Sequence, residues 1–143
     1  MTNKEYGEYV KKRAPKSKLG PDLLKAFVAG GLICCVGQGI LALYKGFGLD
    51  EQAAATAELI TLVFLGAFLT GIGVYDNLAK FGGAGTLVPI TGFANSVVAP
   101  ALEFKSEGLV LGMGAKMFVI AGPVIVFGVS ASVVYGLILA MIA

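Results

Sequence analysis

Apolar residues fill positions 23–44 with few interruptions, and after a short polar turn at 45–52 a second apolar run covers 53–75. An α-helix rises about 1.5 Å per residue and the hydrocarbon layer is about 30 Å thick, so about 20 apolar residues are needed to cross it. Both runs meet that length. Pro21 and Asp22 stand where a helix begins, and Lys25 can reach back to the surface. The polar stretch 76–80 then returns the chain to its starting side, with Asp76 as an interfacial cap.

Beyond residue 80 the pattern changes. Only residues 90–99 lie between Pro89 and Pro100, enough for about 15 Å of helix. Residues 109–121 offer about 20 Å and contain Lys116, and Gly122-Pro123 then breaks the run before 124–143, again long enough to cross. The expected fold is all-α and integral to the membrane. It has three full transmembrane helices and two half-length, Gly/Pro-broken segments joined by a charged elbow as a re-entrant hairpin. Irregular backbone at membrane depth leaves amides that lipid cannot satisfy, so residues 82–121 must be sheltered by protein or line water. Paired broken segments of this kind point to a transport site. An amphipathic segment lying on the surface is the competing reading.

Composition agrees with a membrane protein. The chain has 143 residues, 57% hydrophobic and 14% charged, with a mean hydropathy of +0.84. Soluble domains carry about a quarter charged residues. Two regions are expected: a basic cytoplasmic segment, 1–20, and a helical membrane domain, 21–143. Residues 1–25 hold seven basic and three acidic groups, a net +4 out of the chain's +2, which leaves −2 for the rest. Such a leader beside the first span places the N-terminus in the cytoplasm and suits anionic lipid. It is too short, and too directly joined to a span, for nucleic acid. The first apolar run is too long for a secretory signal, and no small-residue cleavage site follows it.

The candidate chemistry is that of a path, not of a reaction. There is no His, and Cys34 and Cys35 read as free thiols inside a helix, so neither a metal site nor a cofactor is expected. GGAG at 82–85 lacks the strand-to-helix setting of a nucleotide site, and nothing fixes the separation of Glu58, Glu103 and Glu107 for acid–base work. No enzyme is expected. Thr86, Thr91, Asn95 and Ser96 offer neutral groups that either replace part of a solute's hydration shell or bond neighbouring helices. Gln38 reads as helix glue. Lys116 lies deep in an apolar run, where it attracts an anionic solute, pairs with an elbow carboxylate or snorkels to the interface. Glu103, Lys105 and Glu107 form the elbow, either as a polar vestibule able to hold a divalent cation or as a solvated turn. Small residues four apart, Ala67 with Gly71, Gly108 with Gly112, and Gly128 with Ser132 and Gly136, suit close helix packing within or between subunits. Three spans are too few to enclose a path, so a homo- or hetero-oligomer is expected.

Several stretches carry a resemblance. Gly30-Gly31-Leu32-Ile33-Cys34 with Gly37-Gln38-Gly39, Gly71-Ile72-Gly73-Val74-Tyr75-Asp76, GGAGTLVPITGFANS, EGLVLGMGAKMF and AGPVIVFG resemble the stage V sporulation A (SpoVA) membrane proteins of endospore-forming bacteria. The similarity covers about residues 27–136, GAG-x-x-VP-x-TGF is its most specific part, and the long basic leader resembles the AC-type branch more than the AE-type. The resemblance implies a protein of the inner spore membrane working with sister membrane subunits and a soluble AD-type subunit. It implies passage of dipicolinic acid, with Ca2+, during sporulation and germination, through a channel that responds to tension. It carries no residue-level site map. Two rival functions are a non-conducting scaffold anchoring a soluble partner, and a small proton-coupled carrier using Glu58 or Glu103.

Overall fold

A computed structural model describes residues 2–13 and 18–142 of the chain. The described residues are mostly helical, without strands. Helix α1 spans Asn3–Arg13, α2 Leu19–Gly46, α3 Glu51–Gly71, α4 Val74–Gly82, α5 Ala84–Leu87 and α6 Ile90–Glu103. A 3-10 turn at Lys105–Glu107 and a π turn at Leu109–Gly114 lead into α7, Ala115–Ile142. Three stretches are long and apolar enough to cross a membrane, Leu19–Gly46, Glu51–Gly71 and Leu109–Ile142, the number the hydropathy pattern requires.

The third stretch departs from expectation at one place. Residues 109–121 are not a separate half-length segment: they continue through Pro123, which lies inside α7, into the last span. Proline removes one hydrogen bond and bends a helix, but apolar flanks on both sides leave no alternative place for the chain. The irregularity sits at the elbow instead, where Gly108 has φ 94° and the Met113 N–H reaches back five residues to the Gly108 carbonyl at 2.9 Å.

Helices α2 and α3 are antiparallel, joined by a turn in which Gly48 has φ 88°. Gly37 faces Glu58 and Leu62 across the pair. The Thr61 hydroxyl donates to the Ala57 carbonyl at 2.8 Å, so Tyr44 is the donor in its 2.9 Å bond to Thr61. Lys45 and Glu51 close the turn with a 3.0 Å ion pair whose side chains are 43% and 88% exposed. Exposed pairs contribute under about 1 kcal/mol, so Glu51→Gln should leave detergent-phase unfolding nearly unchanged; a loss of several kcal/mol would show that this turn, not the helix interface, sets the stability.

The direction of α6 follows from two contacts. Gly66 of α3 backs onto the main chain of Thr91, and four residues further along both helices Thr70 bonds Asn95. Helices that advance together run parallel, so α6 leads back to the end of the bundle where α3 stops. The charged elbow therefore sits beside the start of α4. Its second arm, the beginning of the long last helix, packs along α6, but because that helix continues to Ile142 the pair is not the re-entrant hairpin of two half-length segments. The turn that enters the bundle is the earlier one, at 83–89.

Candidate functional site

The break at 83–89 is built from residue types that permit it. Gly83 has φ 50°, a conformation side chains disfavour, and ends α4. Pro89 is extended and starts α6, where its missing N–H costs nothing. Such a turn exposes carbonyls that must find donors inside the protein. Tyr75, 2% exposed, supplies one: its hydroxyl donates to the Thr86 carbonyl at 2.8 Å and bonds the Thr91 hydroxyl at 3.0 Å. The Thr86 hydroxyl caps the turn from within, donating to the Gly83 carbonyl at 2.9 Å. Among the described residues no buried side-chain nitrogen or oxygen is left without a partner.

Close packing holds this joint against α2. Gly82 meets Ala29, and Gly85 rests on Ala26 and Gly30. A Cβ at Gly85 would fall 1.9 Å from the Ala26 carbonyl oxygen, and one at Gly92 would fall 2.4 Å from that of Thr86. Glycine is required at both positions because backbone occupies the space.

From the joint, α6 carries a polar stripe outward. Asn95, Ala99 and Glu103 are four apart and so share one helix face. They line two clefts, one on each side of that ridge. The cleft toward α7, about 420 Å³, adds Ser96 and is closed by Ile120 and Val124. The cleft toward α3 and α4, about 450 Å³, adds Thr70, Asp76 and Ala79. Thr70 shares its hydroxyl proton between the Gly66 carbonyl, at 2.7 Å, and the Asn95 side-chain oxygen, at 2.9 Å. Ser96 donates to the Phe93 carbonyl at 2.7 Å. At the outer end the Asp76 carboxylate is paired with Lys80 at 2.6 Å, while Glu103 is exposed at the negative end of the α6 dipole. The arrangement offers neutral hydrogen-bonding groups along the helix and, at the mouth, the Glu103 carboxylate beside the Asp76–Lys80 pair.

The residues singled out from sequence divide among three places. Thr86 and Thr91, 1% and 7% exposed, lie inside the bundle and bond Tyr75. Asn95, Ser96 and Glu103 border the clefts, and Lys105 and Glu107 are exposed at the elbow. Lys116 does not line the clefts; it borders an adjoining groove with Pro100 and Phe104, its ammonium 4.7 Å from the Phe104 ring centroid. Among the described residues no carboxylate is within salt-bridge distance of it. No group of three or more His, Cys, Asp or Glu side chains is placed to hold a metal among those residues, and both thiols are free and exposed.

The small residues are distributed differently from the four-residue spacings. Gly108 serves a turn, Gly112 packs on Glu107, and nothing within 4 Å faces Gly71, Gly128 or Gly136. Ala67 is half-buried and the Ser132 hydroxyl donates to the Gly128 carbonyl at 2.8 Å. Intrachain packing falls instead on Gly30, Gly37, Gly66, Gly82, Gly85 and Gly92. Sequence reasoning missed these and missed Tyr75. A legible signal existed in the matched spacing of Ala26 with Ala29 and of Gly82 with Gly85, three apart on each side of one interface.

A family model described as SpoVAC/SpoVAEB sporulation membrane protein matches residues 22–138. The chain is similar to the stage V sporulation protein AC of Bacillus subtilis (strain 168), at 48% identity over 141 residues, which is 96% of this chain and 94% of that one. No solved structure matches it.

Proposed function

Because the chain belongs to the SpoVAC/SpoVAEB family of sporulation membrane proteins, we propose that it is a subunit of an oligomeric channel for dipicolinic acid and Ca2+. The family is one of sporulation membrane proteins and not one of known enzymes. The observation that carries the reading is the stripe of Asn95, Ala99 and Glu103 between two clefts, directly beside the break at 83–89.

The chemistry of the solute suits that stripe. Pyridine-2,6-dicarboxylate is a rigid dianion, and travelling with Ca2+ it presents little net charge. The Asn95 amide N–H groups can donate to its carboxylates. The Ser96 hydroxyl oxygen, whose proton is given to the Phe93 carbonyl, can face the cation, so that both replace part of the hydration at depth. Glu103 at the mouth attracts the cation, since hard divalent ions prefer carboxylate oxygen. In this reading sister SpoVA membrane subunits complete the path, a soluble AD-type subunit acts at its mouth, the protein resides in the inner spore membrane, and its basic N-terminus faces the cytoplasm beside anionic lipid.

The test is release of calcium dipicolinate from liposomes holding this chain and its sister subunits after an osmotic downshift. Asn95→Leu should slow release about tenfold, the rate equivalent of one hydrogen bond lost from the path. Retention of the solute by the unaltered assembly would reject the channel. If deleting residues 1–20 abolished the protein's role while flux through the assembly persisted, the scaffold reading would replace it.

A further inference from the structure

We propose that the groove between the end of α6 and the first turns of α7 binds an anionic phospholipid, with Lys116 holding the headgroup phosphate. The groove is about 220 Å³ and is lined by Pro100, Phe104, Lys116, Val119 and Ile120, so its walls are apolar and its one polar group is the amine. It adjoins the cleft toward α7, sharing Pro100 and Ile120 with it, but Asn95, Ser96 and Glu103 line the polar clefts and do not line this groove.

Lys116 is the second residue of α7, within a stretch of membrane-spanning length. Helical side chains lean toward the N-terminus of their helix, so the four-carbon stem carries the ammonium back toward the elbow. It comes to rest against the face of the Phe104 ring, which attracts a cation without neutralising it. With no carboxylate in salt-bridge distance among the described residues, its charge remains available to an anion.

The shape of the groove selects the occupant. A small dissolved anion would gain one cation but would face apolar carbon on every other side. A phospholipid presents both halves of the match, a phosphate for the amine and acyl chains for Val119, Ile120 and Pro100. Basic pockets between membrane helices hold anionic headgroups in this way. The inference stands on the groove alone, and it holds whether or not the assembly conducts.

Native mass spectrometry of the full-length detergent-solubilised chain, offered phosphatidylglycerol and phosphatidylcholine together, tests it. The unaltered chain should retain phosphatidylglycerol in preference. Lys116→Gln should weaken that retention about fivefold, Lys116→Arg should restore it because a guanidinium also grips phosphate, and Lys105→Gln at the exposed elbow should leave it intact. Val119→Trp fills the groove while leaving the amine in place, and should also displace the lipid. Equal retention by Lys116→Gln, Val119→Trp and the unaltered chain would overturn the proposal. So would displacement of the lipid from the unaltered chain by millimolar inorganic phosphate or dipicolinate, since the site would then be one for a dissolved anion.

Discussion

Gly85→Ala is expected to destabilise the solubilised chain by about 3 kcal/mol or more, at the upper end of what overpacking a close contact costs. The added methyl would begin 1.9 Å from the Ala26 carbonyl oxygen and 2.7 Å from its carbon, so two stretches of main chain must separate. No side-chain rotation relieves a clash between backbones. The control is Gly31→Ala in the middle of α2, where nothing lies within 4 Å. There the higher helix propensity of alanine should be neutral or stabilising by up to about 1 kcal/mol. Unfolding in SDS titrations, followed by circular dichroism, reads both. Equal midpoints for the two variants would mean that α5 does not pack on α2.

Tyr75→Phe is the second large effect, about 2 kcal/mol, because it orphans a buried acceptor instead of merely deleting a bond. Without the hydroxyl the Thr86 carbonyl has no donor in a joint that is 1% exposed at Thr86 and 2% at Tyr75. Water has little access there, and in the membrane lipid offers no replacement. Tyr44→Phe makes the comparison: Thr61 keeps its bond to the Ala57 carbonyl, nothing is orphaned, and the loss should stay below about 1 kcal/mol. Amide exchange at 83–89 should accelerate in Tyr75→Phe and not in Tyr44→Phe. In the channel reading the same variant should release dipicolinate at a smaller osmotic step, since the joint that supports α6 is loosened. Equal exchange at 83–89 in both variants would remove Tyr75 from its role as the anchor of the turn.

Much of the architecture could be read without coordinates. The membrane-length runs, the polar turn at 45–52 and the irregular stretch beginning at Gly82 are local properties, written in hydropathy, length and the placement of Gly and Pro. The break at Gly122-Pro123 was read from the same signals and is absent, because a proline within a long apolar helix is tolerated where its flanks must both remain in lipid. For the candidate site, Asn95, Ser96 and Glu103 were recognisable as polar groups out of place in an apolar run. That Thr86 and Thr91 face inward to Tyr75, while Asn95 and Glu103 border clefts, was not. Residues 86, 91 and 95 are all small and polar, and which way each points depends on where α6 meets α3.

The sequence alone determined the solvent this chain folds in, the number of its membrane-length helices and its family, because each rests on consecutive residues and their chemistry. Tertiary structure alone decided that α6 runs parallel to α3, that the entering turn is 83–89, and that Lys116 rests on Phe104. Those outcomes depend on backbones meeting at Gly66 and Gly85, where the missing side chains let helices distant in sequence approach closely enough to set direction and register.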